Sequence, residues 1–203
     1  FDAGSARDGE RSGLASITAG MLAQGAGEWD ADTVAERVES VGAQLSTGAA
    51  RDSAFLSLRT LTREPAMETA LQTAATVLAA PRFEETDFER VRKNRLVGLR
   101  QDEQDPRTVG SKAVYRKIFG DHPYAADPAG TQESLSRLKR EDLVEFHRDH
   151  YVARNAVVAI VGALSRAEAE ALVERVTAGL RAGEPATPVS PVGELEAGVL
   201  EEL

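Results

Sequence analysis

The sequence predicts an α+β domain, in which an antiparallel or mixed β-sheet packs against several helices, and three observations predict it. Apolar residues recur at helical spacing over most of the chain, two neighbouring runs between Ala43 and Thr62 alternate with period two, and Ala156–Gly162 (AVVAIVG) is one continuous β-rich run. With 42% hydrophobic residues among 203, one domain with a substantial core is expected over residues 1–182. Residues 183–203 read as an extended linker, because prolines stand at 185, 188 and 191.

After a polar turn at Asp8–Ser12, the stretch Gly13–Gly25 (GLASITAGMLAQG) puts Leu14, Ile17, Met21 and Leu22 on one helical stripe, and Gly25 and Gly27 stop it. A second helix is expected from Asp32 to Val41 through Val34, Val38 and Val41, with Gly42 as its stop. Ala43, Leu45, Thr47 and Ala49 then alternate, as do Ala54, Leu56 and Leu58 beyond the Arg51-Asp52 turn, which describes an antiparallel hairpin. Glu64–Ala80 returns to helical spacing and Pro81 closes it. A charged helix follows from Thr86 to Glu103, then one over Val109–Phe119, then the loop Gly120-Asp121-His122-Pro123-Tyr124. Thr131–Leu138 is a short helical turn, and Arg140–Tyr151 is amphipathic through Leu143, Val144, Phe146 and His147. Ala156–Gly162 has the composition of a central strand covered on both faces. Ser165-Arg166-Ala167-Glu168 is a capping box that opens the last helix, with its stripe at Ala169, Leu172, Val173, Val176 and Leu180. Phe1 reads as the end of a strand already under way, so the first strands of the sheet are expected upstream of it.

A net charge of −9, spread along the helices, removes the basic footprint of a nucleic-acid binder. No apolar run approaches the roughly 18 residues that cross a bilayer, and Phe1-Asp2-Ala3-Gly4 is not a signal peptide. The chain has no cysteine, so it holds neither a disulfide nor a thiolate zinc cluster, and cysteine usage does not separate periplasm from cytosol.

Candidate chemistry is sparse. His147 and His150 stand one helical turn apart, but neither HExxH nor HxxEH is present, and Asp149 lies about 100° around the helix from His150. The structural reading packs His147 at a helix–strand corner and leaves His150 solvated. His122 in the HPY loop makes no recognisable catalytic pair with a serine or carboxylate near it in sequence and reads as a loop anchor, or as a contact for bound peptide. The run Arg90, Arg92, Lys93, Arg95 and Arg100 is interleaved with acids and reads as a solvated helix face. Residues alone lead to an α+β domain without a visible catalytic site.

Seven segments in order, FDAGSARD (1–8), GLASITAGML (13–22), VESVGAQL (38–45), FERVRKNRL (88–96), QDP (104–106), HPY (122–124) and FHRDHYVARNAVVAIVG (146–162), resemble one domain of the pitrilysin/insulinase family of metallopeptidases. In active members the helix matching GLASITAGML carries HxxEH, whose two His bind zinc and whose Glu activates water, and a third ligand, a Glu, lies further along the chain. The resemblance puts Ser16 and Gly20 at the two histidines, Ala19 at the general base, and Gly98 at the third ligand, counted back from Gln104-Asp105-Pro106. All four positions are vacant, so no metal and no cofactor is expected in this chain.

The resemblance therefore implies the family's noncatalytic kind of subunit. It would pair as a heterodimer with an active zinc-bearing homologue and help to enclose a peptide chamber; the purely structural core proteins of respiratory complexes are the alternative. It also implies a second homologous domain beyond the 183–203 linker. Peptide adds in active members as a strand to the edge strand after the second helix, at positions matching Ser46, Thr47 and Gly48, where this sequence has small residues in place of the usual Asn-Ala-aromatic. His122 and Tyr124 are further candidate peptide contacts. The expected compartment is the periplasm or cytoplasm of a bacterium, with the resemblance leaning to the periplasm.

Overall fold

The computed structural model describes residues 1–194 and 198; the remainder of the expected linker, 195–197 and 199–203, lies outside the described residues. Its organising element is α1 (Leu14–Met21), which buries Leu14, Ala15, Ile17, Thr18, Ala19 and Met21 and so is enclosed on nearly every side. Gly13, its N-cap, has no side chain to offer. Asp8 supplies the cap from the preceding loop, accepting from the amides of Gly13 and Ala15 at 2.8 Å each.

A short pair, β1 (Gly25–Ala26) with β2 (Trp29–Asp30), forms where the sequence indicated only glycine stops. Asp30 then caps α2 (Ala31–Glu39), which buries Val34 and Val38. The expected hairpin is present as β3 (Gln44–Ala49) antiparallel to β4 (Ala54–Arg59), with Ala49 opposite Ala54 and Gln44 opposite Arg59. Leu45, Ala49, Ala54 and Leu56 turn toward the core. On the other face Phe55 covers Gly48, where a Cβ would lie 2.7 Å from the ring.

The opening residues lace this hairpin to the rest. Ser5 and Ala6 donate to the carbonyls of Ala50 and Arg51 at 2.9 Å, and Gly4 passes so close that a Cβ would sit 2.2 Å from the Arg51 oxygen. Only glycine fits there. Phe1 exchanges two hydrogen bonds with Ala54, at 2.9 and 3.0 Å, and Asp2 donates to the Asn155 carbonyl at 3.1 Å.

Helices complete the domain: α3 (Ala66–Ala79), α4 (Glu85–Asp102), α5 (Pro106–Phe119), α6 (Gln132–Arg137), α7 (Arg140–His150) and α8 (Arg166–Thr177). Helix α5 starts at Pro106, earlier than the apolar spacing indicates, because Asp105 caps it and proline needs no amide partner in a first turn. The capping box at Ser165 and Glu168 opens α8 as expected, and α8 packs on α3. One core joins α1, α4, α7 and the hairpin around Leu14, Met21, Phe88, Leu99, Leu143 and Phe146.

The expected central strand is corrected. Residues 156–162 join no ladder among the described residues, and Val157 and Val161 are 91% and 99% exposed. A groove of about 360 Å³, lined by Leu56, Leu58, Leu71, Ile160, Leu172 and Val176, separates this run from β4. Strand backbone alternates in direction, and Ala54 turns its N–H and C=O away from β3 toward Phe1, so Leu56 and Leu58 aim theirs into the groove. The β-branched run has a sheet composition without a neighbour to pair it.

Candidate functional site

Ser16, Ala19 and Gly20 lie on α1 and Gly98 on α4, and the two helices pack against each other. Ser16 and Gly98 are half-buried, Ala19 is fully buried and Gly20 is exposed. None of the four side chains can hold a divalent metal or move a proton near neutrality. A Cβ added at Gly20 or at Gly98 would meet nothing within 4 Å. A first side-chain carbon is therefore unopposed at both glycines. Among the described residues no group of three His, Cys, Asp or Glu stands together in a metal-holding arrangement.

Helix α1 also packs on β3, the strand that carries Ser46, Thr47 and Gly48. Among the described residues β3 pairs with β4 alone. By the same alternation as in β4, Gly48 bonds across to Phe55, while Thr47 turns its N–H and C=O to the unpaired edge. Ser46 is exposed, and Thr47 and Gly48 are half-buried.

The histidines are structural. His147 places Nε2 2.9 Å from the Leu78 carbonyl and stacks on Tyr151 with centroids 4.9 Å apart. Burial lowers its pKa, and the bond to Leu78 opposes that shift. His150 is half-buried where full solvation was expected: its ring lies 4.5 Å from that of Phe146, and burial lowers its pKa too. The two rings are thus committed to the helix–core seam, and they form no metal pair.

His122 and Tyr124 are brought together, with ring centroids 4.5 Å apart, but neither points to the vacant positions on α1 through any bond they make. His122 Nδ1 accepts from the Tyr124 amide at 3.1 Å, which leaves Nε2–H to donate to the Ser190 carbonyl at 2.8 Å. The Tyr124 hydroxyl donates to Asp52, in the hairpin turn, and Arg51 stacks over Tyr115 at 3.6 Å. Two residues that sequence reasoning missed hold this architecture. Asp8 is 3% exposed, and burial pushes its pKa up to about 7 against the opposing amides of Ala15 and Gly13. Asn155 is 8% exposed and bonds the His150 carbonyl and the Ala186 amide. A lone Asp shortly before a glycine-led helix is the one signal that could have found the first.

Comparison with known proteins supplies the remaining observation. Residues 1–132 match the model of the insulinase family (peptidase family M16), and residues 137–202 match that of the peptidase M16 inactive domain. The crystal structure of a peptidase M16 inactive domain from Pseudomonas fluorescens superposes with a TM-score of 0.94 at 34% identity, over 97% of this chain and 48% of that one. An uncharacterised zinc protease of Mycobacterium leprae is 27% identical over 81% of this chain. Subunit 1 of the bovine mitochondrial cytochrome b-c1 complex is 26% identical over 89%. The chain spans 37% of the length of each of these two relatives.

Proposed function

The chain belongs to the insulinase family of peptidases, M16, and on that premise we propose that it is a noncatalytic member that pairs with an active, HxxEH-bearing homologue and supplies wall and support to a peptide-processing chamber. The observation that carries the reading is the conjunction on α1 and α4. The chain shares the fold of a peptidase M16 inactive domain, and the resemblance sets Ser16, Ala19, Gly20 and Gly98 against two zinc-binding His, the general base and the third ligand, with room for a Cβ at both glycines. A catalytic zinc site needs three protein ligands and an open fourth position, and these four residues offer no ligand. Zinc then belongs to the partner. The match to the inactive-domain model supports the same reading.

In this reading the unpaired edge of β3 at Ser46, Thr47 and Gly48 faces the shared chamber, where Thr47 presents a donor and an acceptor to an extended peptide. The 183–203 segment leads toward a second homologous domain. The test mixes the chain with an HxxEH homologue from the same source: hydrolysis of a peptide library by the mixture, and by neither protein alone, is the expected result. A second reading, a purely structural subunit with no peptide handling, is favoured by the likeness to subunit 1 of the cytochrome b-c1 complex. It predicts a stable complex in which the partner's hydrolysis is the same with and without this chain.

A further inference from the structure

The segment after α8 is not disposed as a free tether. Prolines stand at every third position, 185, 188 and 191. The residues turned toward the domain also recur every third position: Gly183, Ala186 and Val189 are half-buried while their neighbours are exposed. A period of three is that of the polyproline-II helix, which makes no internal hydrogen bonds and so offers every backbone group to another surface.

Each of its turns meets a polar group fixed by other bonds. The Ala153 and Arg154 amides donate to the carbonyls of Arg181 and Ala182 at 2.8 and 3.1 Å. Gly183 follows with φ +63°, and a Cβ there would fall 2.4 Å from the Val152 Cβ. Asn155 accepts from the Ala186 amide at 2.7 Å through Oδ1, and its Nδ2 is held on the His150 carbonyl at 3.2 Å. Arg7 donates to the Thr187 carbonyl and is held in place by Asp2 at 2.8 Å. His122 donates to the Ser190 carbonyl, with its tautomer set by the Tyr124 amide. These contacts address backbone atoms, so they read the polyproline-II shape and not a side-chain sequence.

We propose that residues 184–191, which follow the turn at Gly183, form a polyproline-II strap docked in a track built from Asn155, Arg7 and His122, which fixes the point where the chain leaves the domain beside the His122–Tyr124 loop. The strap is independent of any role in proteolysis. Nitrogen-15 relaxation on the full chain tests it at the amides of Ala186, Thr187, Val189 and Ser190. Docked amides have order parameters near 0.85, whereas a flexible tether falls below about 0.6. Ala186→Pro is compatible with polyproline-II geometry and puts a ring carbon in place of the N–H from which Asn155 accepts, at a position in the strap and outside the domain core. It is expected to lower the order parameters of Thr187 and Val189. His122→Ala is expected to lower Ser190 while leaving Thr187 unchanged. Wild-type values below about 0.6 overturn the proposal. So do values that stay high in both variants, since the stiffness would then come from the prolines alone.

Discussion

Asp8 shows how one side chain replaces a missing cap and brings a titration with it. Its two oxygens serve the first amides of α1 from inside the protein, where burial favours the neutral acid. Between its ordinary value of 3.8 and about 7 the folded state binds more protons than the unfolded chain. Stability from this group is thus fully present at the acid end and is lost as pH rises through about 7. His147 and His150 act in the opposite sense: burial lowers both from 6.5, so their contribution is present above that value and is lost as pH falls below it. Asp8→Asn separates the two effects because it removes only the first. In urea denaturation, wild type is expected to gain on the order of 2–3 kcal/mol relative to this variant between pH 8 and pH 5. A constant difference across that range means that the two amides keep Asp8 ionised. The cap could have been read from an Asp shortly before a glycine-led helix, but the titration could not, because the burial behind it is set by the folded chain around the start of α1.

At the scale of elements, the vacancy on α1 and α4 makes a direct prediction. If positions 16, 20 and 98 are those of the zinc ligands, Ser16→His, Gly20→His and Gly98→Glu together are expected to create a site for one zinc per chain, since added atoms at both glycines meet open space. The triple variant dialysed against zinc and measured by elemental analysis checks this, with wild type as the reference. Failure of a folded triple variant to retain zinc removes the positional assignment. Period and punctuation made the elements legible: the hairpin, the α3, α4 and α7 stripes and the Ser165 capping box are where apolar spacing places them. What escaped was set by partners distant in sequence. The start of α5 depends on Asp105, and the burial of His150 on Phe146 and its neighbours in the core. The fate of residues 156–162 depends on which strands stand beside them, which composition cannot express.

For the whole molecule, family membership was legible because seven short segments recur in order, although each alone is unspecific. Partnership is a property of surfaces, and neither His122 nor Tyr124 gave a signal that its bonds run to the chain's own strap and hairpin turn. The groove beside β4 has a practical consequence for anyone handling the purified chain. Leu56 and Leu58 turn their amides and carbonyls into the groove, and Val157 and Val161 stand in solvent across from them, so the groove offers a strand edge onto which another polypeptide can zip. Self-association that grows with protein concentration is expected in light scattering despite the net charge of −9, and Val157→Lys with Val161→Lys is expected to suppress it. Particles that stay monomeric at millimolar concentration would mean that the gap closes in solution.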